Sequence, residues 1–459
     1  MKRVFSQLPQ ETALALKLLH EAGHEAVLVG GCVRDACMGI PPHDWDIATS
    51  ALPQETARVF SAWPLQRSGE KHGTVTVLFS GGPVEITTFR VDGIYKDHRR
   101  PSQVQFSQSL QQDLQRRDFT INAMAWDGAS LLDPYGGQED LRRKRICCVG
   151  DPSVRFEEDG LRILRALRFA SVLSFSIEGK TAQALLSQRS LLHSIAAERI
   201  SQEFLKLLCG RGAVSVLRDY RPVFEVFLPE IRPTAGLDQR SPYHCYDVWE
   251  HTLHALACIP AEPDLRLAAL LHDIGKPLCC RIDETGRGHF PGHQELGASV
   301  AERVCRRLRL SRQMTAEITT LVRCHDLSVV SGEANVKRWL RRLGSVELYR
   351  KLLELNRADT FAHAAPAFRR LPILDEAEQN LAHILNTGQC WSLHQLAVSG
   401  KDLRSFAHGP ALGRLMNRLL DSVIDGSCPN ERDPLLALAA RLAVGTDAPA
   451  ESSGGNPCP

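Results

Sequence analysis

The stretch from Leu28 to Ile47, LVGGCVRD followed by HDWDI, constrains this chain more than any other part of it. An apolar run, AVLV, leads into Gly30-Gly31 and then a helix-like segment, so a strand, a tight turn and a helix are expected in succession. A glycine pair at such a junction lets backbone N–H groups approach a phosphate, with the helix N-terminus favouring negative charge. Alone, the pair reads equally as a plain tight turn. Asp44 and Asp46 stand two apart on a predicted strand, so both carboxylates face one way. Carboxylates so placed repel unless a cation lies between them. Mg²⁺, a hard oxygen-seeking ion, suits that geometry and in pairs activates a hydroxyl and stabilises a leaving pyrophosphate. The segment TVTVLF-SGG-PVEITTF predicts a hairpin turning on Gly81-Gly82, and its Glu85 is either a third carboxylate or an exposed strand residue.

Beyond about Asp151 the pattern changes to apolar residues at helical period, as in LRILRALRFASVL and ISQEFLKLL, and the rest of the chain is expected to be almost wholly helical. At 459 residues the chain is too long for one hydrophobic core, which predicts several packed units. With 55 basic against 53 acidic residues the net charge is +2, so any contact with nucleic acid has to come from local basic patches. The 14 cysteines are scattered without a CxxC pair, and the start MKRVFSQLPQETALALKLL reads as an amphipathic helix rather than an export signal. Reduced thiols and a cytoplasmic location are expected. No run of about 18 uncharged apolar residues occurs, which predicts no membrane span.

The GGxxRD and DxD elements together resemble motif A of the class II polymerase-β-like nucleotidyltransferases. Four further motifs of that family follow in order: RRDFTINA (Arg116 to Ala123), DPYGGQEDL (Asp133 to Leu141), EEDGLRILRALRFA (Glu157 to Ala170) and ERISQEFLKLL (Glu198 to Leu208). The resemblance implies Asp44 and Asp46 as Mg²⁺ ligands, with Glu85 as a third catalytic carboxylate. It further implies nucleotide binding by Gly30, Gly31, Arg34, Arg117, Asp118 and Asn122.

Asp159 and Arg162 are three apart and are expected side by side on one helix face. A carboxylate only accepts hydrogen bonds and a guanidinium only donates them. Cytosine and adenine present an amino donor beside a ring-nitrogen acceptor, whereas uracil and guanine present a carbonyl beside N–H. The pair therefore suits CTP and ATP and rejects UTP and GTP, as the family's protein-templated base choice implies. Arg165, a turn further on, is expected to steady the base or a phosphate, or else to pair with Glu158. The polar loop from Asp92 to Phe106, with Arg99-Arg100-Pro101, resembles the family's loop for switching from C to A addition.

After Pro242 the chain becomes dense in His and Asp: WEH ends at His251, LLHDIGK holds His272 and Asp273 in an apolar helix, PGH ends at His293, CHD holds His325, and NRAD ends at Asp359. Imidazoles and carboxylates spread over several helices make a site for a divalent transition metal or Mg²⁺, which generates a hydroxide nucleophile near neutral pH. The ordered H…HD…D set resembles the HD phosphohydrolases. That implies His251, His272, Asp273 and Asp359 as ligands, with His293 and His325 holding a second metal or a substrate phosphate. His244, His254 and His289 are set aside as background.

The expected architecture is multidomain α+β. A polymerase-β-like mixed α/β nucleotidyltransferase head spans 1–146 and an all-α neck 147–235. An HD domain spans 236–370, a helical tRNA-binding tail 371–446 and a disordered end 447–459. The resemblance implies addition and repair of the 3′-terminal CCA of tRNA from CTP and ATP, with HD-domain hydrolysis of 2′,3′-cyclic or terminal phosphates. Its alternatives are a poly(A) polymerase, a specialist adding only A or only CC, an HD fold kept as an RNA-binding spacer, and an idle RNA-binding protein on the same scaffold.

Overall fold

The computed structural model describes residues 8–42, 44–92, 104–326, 330 and 332–444. Most of the loop expected between Asp92 and Phe106, including Arg99, Arg100 and Pro101, lies outside the described residues, as does the polar end from 445. The chain divides into two compact units. The first takes the residues to Pro233 together with Ala261–Leu267 and Glu302–Thr315; the second takes Thr234–Pro260, Ala268–Ala301 and the chain from Ala316 onward.

Nine short strands lie in the first part of the chain: β1 (Ala26–Val29), β2 (Asp46–Thr49), β3 (Leu65–Gln66), β4 (Thr74–Phe79), β5 (Gly82–Thr88), β6 (Arg90–Asp92), β7 (Val104–Phe106), β8 (Ala125–Trp126) and β9 (Leu131–Leu132). Seven form one sheet in the order β3-β4-β5-β2-β1-β8-β9, and β6 pairs with β7 as a separate ribbon. Within the large sheet β2 and β5 run parallel, which requires a crossover, and the chain makes it through helix α3 (Pro53–Val59), β3 and β4.

Alternation along the strands gives the sheet two different faces. Leu28, Ile47, Val77, Phe79 and Ile86 pack with Phe60 and with Ala15, Leu19, Val33 and Ala36 of helices α1 (Gln10–Glu21) and α2 (Gly31–Cys37). Burial of each large apolar side chain there contributes about 1.5–3 kcal/mol. On the other face, Val27, Val29, Ala48 and Ala125 pack against Leu110 and Leu114 of helix α4 (Leu110–Gln115). Over β3, β4 and β5 this second face is polar: Thr74 and Thr76 are half-buried, while Gln66 and Glu85 are exposed.

The β4–β5 hairpin turns one residue earlier than the sequence suggested. Phe79 pairs with Gly82, so Ser80-Gly81 is the loop and Gly82 already belongs to the strand. A Cβ at Gly81 would come within 1.8 Å of a Glu11 carboxylate oxygen, so a larger residue there would displace the Glu11 side chain.

The rest of the first unit is mainly helical. Helix α5 (Pro152–Glu158) starts on an Asp151 cap with proline at its first turn, and it stops at Asp159, whose backbone is extended (φ −142°, ψ 103°). Helix α6 (Leu161–Leu173) then buries Ile163, Leu164 and Leu167 and packs against α7 (Ala197–Leu208), which buries Phe204, Leu207 and Leu208. From Thr234 onward the described residues, apart from a small ribbon of Arg281–Ile282 with Gly288–His289, form helices and turns. Those that matter below are α8 (Val248–Cys258), α9 (Pro263–Leu271), α10 (His293–Arg307), α11 (Arg312–Cys324) and α12 (Val346–Ala362), with α8 packed along α12. Among the described residues no helix is long and apolar enough to cross a membrane.

Candidate active sites

Asp46 opens β2, and its Cα partner on β5 is Glu85, so the two carboxylates are direct cross-strand neighbours. Asp44 lies in the bend before β2, not on the strand as expected, and is exposed. Protein crowding around the Asp46 carboxylate raises its pKa, Arg117 acts against this, and Glu85 and Asp44 add to the rise. A raised carboxylate beside two others is a site missing positive charge, and three oxygen-bearing acids fit a hard divalent cation.

From these acids a cleft of about 640 Å³ runs toward α6, lined by Gly30, Gly31, Asp44, Asp46 and seven arginines, among them Arg34, Arg117 and Arg168. Gly30 is required twice over. Its φ is +75°, and a Cβ would stand 3.1 Å from Arg117 Nη1 and 3.8 Å from Asp46 Oδ2.

The nucleotide-binding candidates Arg34, Asp118, Asn122 and Arg165 meet in this cleft as one network. Arg34 Nη1 donates to Asn122 Oδ1 at 2.9 Å, Asn122 Nδ2 to Asp118 Oδ1 at 3.1 Å, and Arg165 Nε to Asp118 Oδ2 at 2.7 Å. Arg34, Arg165 and Arg168 also gather around the Phe169 ring at 5.3, 5.5 and 3.9 Å. Burial works to raise the Asp118 pKa, but Arg165, Asn122 and Arg162 bring it down to about 2. Asp118 and Asn122 thus orient the arginines. The expected Arg165–Glu158 pair does not form, because Glu158 is held by Arg155 and Arg162.

Asp159 and Arg162 both line the cleft but are not stacked on one helix face. Asp159 occupies the break between α5 and α6, where its Oδ1 accepts from the Leu161 amide at 3.0 Å and its Oδ2 from Arg199 Nη2 at 2.9 Å. Arg162 is buried, donating to Glu158 and to the carbonyls of Arg155 and Arg116, the last two at 3.0 Å. Helical spacing failed here because the helix is interrupted at Asp159 itself.

Sequence reading passed over Asp113, which is buried on α4 and holds two guanidiniums: Arg116 Nη2 at 2.7 Å and Arg117 Nη2 at 3.0 Å. Its i, i+3 and i, i+4 spacing to those arginines was the available signal. Arg199 stood inside a noted motif without being singled out.

In the second unit, six residues far apart in sequence converge. His251 comes from α8 and Asp359 from α12, while His293 begins α10. His272 and Asp273 were expected within an apolar helix but lie in the turn after α9, and His325 lies in the turn after α11. Carbonyls left without partners at those helix ends fix the rings: His272 Nδ1 bonds Ala269 O at 2.7 Å and His325 Nδ1 bonds Val322 O at 2.7 Å. His251 and His293 are fixed likewise, by Ala362 O at 3.2 Å and Phe290 O at 2.9 Å.

With every Nδ1 so engaged, all four Nε2 atoms point inward. The Nε2 atoms of His251 and His272 are 3.3 Å apart, and those of His293 and His325 are 3.4 Å apart. Asp273 lies between the two pairs, Oδ2 at 3.3 Å from His272 and Oδ1 at 3.6 and 3.5 Å from His293 and His325. Asp359 Oδ1 is 3.0 Å from His251 Nε2. Lone pairs and carboxylates converging this closely need a cation, and rings whose far nitrogen is tied to a carbonyl are the usual arrangement of metal-binding histidines. Burial and the two acids compete at His272, and Asp273 and Asp359 win, pulling it up to about 10.

A cavity of about 300 Å³ opens over the cluster, lined also by Lys276, His244 and His363. Lys276 Nζ lies 2.6 Å from Asp273 Oδ2 and donates to Gln239 Oε1 at 2.7 Å. His244, set aside as background, stands 4.3 Å from the His363 ring, with its pKa pushed down to about 2 by burial and then by Lys276. Neither it nor His363 was legible among 17 histidines. His254 stacks on Tyr246, and His289 pairs with Asp283 on the surface.

Three family models match parts of the chain. The poly A polymerase head domain matches residues 26–147, the probable RNA- and SrmB-binding site of polymerase A residues 174–233, and the putative domain 2 of tRNA nucleotidyltransferase residues 294–439. The CCA-adding enzyme of Limosilactobacillus fermentum is 35% identical over 433 residues, 93% of this chain and 95% of that one. The chain belongs to the CCA-adding enzyme family. Against another CCA-adding enzyme, that of Lactobacillus delbrueckii, it is 49% identical over 206 residues, 45% of this chain and 52% of the relative, so it spans about half of that relative's length. Among solved CCA-adding enzymes, that of Bacillus stearothermophilus in complex with CTP has a TM-score of 0.67 at 27% identity, covering 95% of this chain and 98% of that one.

Proposed function

We propose that the chain adds the nucleotides of the 3′-terminal CCA to tRNA from CTP and ATP, without a nucleic-acid template, in the cytoplasm. One observation carries this reading: a single cleft is lined by Asp44 and Asp46, by Asp159 and Arg162, and by a further six arginines. Asp44, Asp46 and Glu85 would hold Mg²⁺, which when bound supplies charge neutralisation for the attacking hydroxyl and the leaving pyrophosphate. The cleft arginines bind and orient the triphosphate, kept in place by Asp113 and Asp118. Asp159 accepts from the exocyclic amino group, and Arg162 donates to the ring nitrogen beside it. Helices in the tail, 371–446, serve to hold the tRNA. The direct test offers each NTP separately to tRNAs ending at the discriminator base, at C and at CC. CTP incorporation on the first two and ATP on the third is expected. Addition of A to all three would favour a poly(A) polymerase.

A second activity is favoured by the inward convergence of four Nε2 atoms and two carboxylates. We infer that the second unit hydrolyses 2′,3′-cyclic or terminal phosphates. His251, His272, Asp273 and Asp359 would hold one divalent ion and His293 and His325, with Asp273, another. Such ions supply Lewis acidity and a water acidified toward neutral pH. Lys276 offers a charge for the substrate phosphate. Phosphate release from cyclic-ended RNA, with Mg²⁺, Mn²⁺, Ni²⁺ or Co²⁺ supplied, tests this; its absence with all four would leave an RNA-binding spacer.

A further inference from the structure

The acids that end the arginine cleft have a second side. Asp46 on β2 pairs with Glu85 on β5, Glu85 with Thr76 on β4, and Thr76 with Gln66 on β3. Successive cross-strand partners point to one face, so these four side chains form a row across the sheet. It lies on the face that is not covered by α1, α2 and Phe60, where Thr76 is half-buried and Gln66 exposed. A cleft of about 760 Å³ takes in this row together with Ser68 and Thr74, is lined also by Trp45 and by Glu11 and Thr12 at the start of α1, and meets the arginine cleft at Asp44 and Asp46. Among the described residues its lining holds no lysine, arginine or histidine.

In-line displacement at phosphorus places the attacking oxygen and the leaving pyrophosphate on opposite sides of the transferred group. A triphosphate belongs where the guanidiniums are. The attacking hydroxyl then comes from the cleft beyond Glu85. Its described lining, acids, hydroxyls and an amide beside Trp45 and Val84, disfavours phosphates and suits the least charged part of an RNA strand, its terminal ribose. Each ribose hydroxyl both donates and accepts, as do the groups of Thr76, Ser68 and Gln66. Since the 3′-hydroxyl is used in attack, the 2′-hydroxyl is left for recognition, and it is the group that distinguishes RNA from DNA.

We propose that the Gln66–Thr76 row is the seat of the acceptor's terminal ribose and reads its 2′-hydroxyl. This rests on the nucleotide-adding reading above. These are positioning residues: they place the hydroxyl and take no part in bond changes.

The test measures kcat and KM for a tRNA acceptor lacking CCA, ended either by a ribose or by a 2′-deoxyribose, in the wild type and in Thr76→Val, Gln66→Ala, the double variant and Thr76→Ser. KM for CTP is measured in parallel. The wild type is expected to favour the ribose end by roughly three- to tenfold in kcat/KM, the worth of one or two hydrogen bonds. In the double variant that preference falls to near unity through a higher KM for the ribose-ended acceptor, with KM for CTP within about twofold, and Thr76→Ser keeps the preference. A wild type indifferent to the 2′-hydroxyl overturns the assignment. So does a double variant that keeps its preference, or one whose KM for CTP rises as steeply as that for the acceptor. If the wild type adds nothing to either acceptor, the nucleotide-adding reading itself fails and takes this inference with it.

Discussion

Replacing Asp118 by asparagine isolates the network that holds the cleft. Asp118 is 7% exposed and accepts from Arg165 Nε at 2.7 Å, Asn122 Nδ2 at 3.1 Å and the Phe119 amide at 2.8 Å. Its fall from 3.8 to about 2 in the folded state is worth about 2 kcal/mol at about 1.36 kcal/mol per pH unit. The sign follows from linkage: an acid whose folded pKa is depressed stabilises the fold fully above its unfolded pKa, and the contribution is lost as pH falls through the folded value. The substituted amide has the same shape but no titrating charge. The Asp118→Asn variant should therefore be less stable by about 2 kcal/mol from pH 7 down to about pH 5, and the gap should close steadily from about pH 4 toward pH 2. Urea unfolding of both proteins across that range measures it, with the wild-type-minus-variant difference cancelling every other titrating group. A gap that stays constant down to about pH 2.5, or one of the opposite sign at pH 7, refutes the reasoning.

Asp46→Asn should reduce nucleotide addition by at least about a hundredfold, since it removes a charged ligand from the proposed ion site, while tRNA binding by gel shift changes less than about threefold. Asp159→Ala is expected to lose discrimination of CTP over UTP as well as rate; a slower variant that is equally selective would remove Asp159 from base choice. Arg199→Met leaves Asp159 with the Leu161 amide alone, so the ratio of CTP to UTP kcat/KM should fall about tenfold and recover in part in Arg199→Lys. His272→Ala with Asp273→Ala should abolish phosphate release from cyclic-ended tRNA and lower bound metal measured on the purified protein. CCA addition should survive, and equal metal content in variant and wild type would end the ion-site reading.

How much of this was legible depended on whether a residue's partners were near it in sequence. The strand–turn–helix around Gly30 and the alternation in β4 and β5 are local patterns, and the fold repeats them. Glu85 was placed beside the aspartates only as an option, because β2 and β5 are joined by a crossover and parallel register cannot be read from either strand alone. The helical pairing of Asp159 with Arg162 failed for a local reason as well: an extended Asp159 breaks the helix just before Gly160 starts the next one, so i, i+3 spacing no longer measures adjacency. In the second unit the ordered histidines and aspartates could be picked out by type. What fixes each ring is a backbone carbonyl, at a helix end for His251, His272 and His325 and in a loop for His293, and carbonyl positions have no signature in side-chain sequence.

The net charge of +2 left local basic patches as the only route to a polyanion, and the first unit gathers seven arginines in one cleft. Acids that cancel them in the sum are paired with them: Asp113 with Arg116 and Arg117, Asp118 with Arg165, Glu203 with Arg168, Asp159 with Arg199. A guanidinium has five N–H donors, and a carboxylate engaging two of them leaves others to face a ligand. On the proposed reading, pairing therefore does not remove these arginines from phosphate binding. It fixes where their remaining donors point before the nucleotide arrives, so that less ordering has to occur on binding. Composition sums charges without regard to where they sit, and here seven arginines share one cleft in a chain whose sum stays near zero.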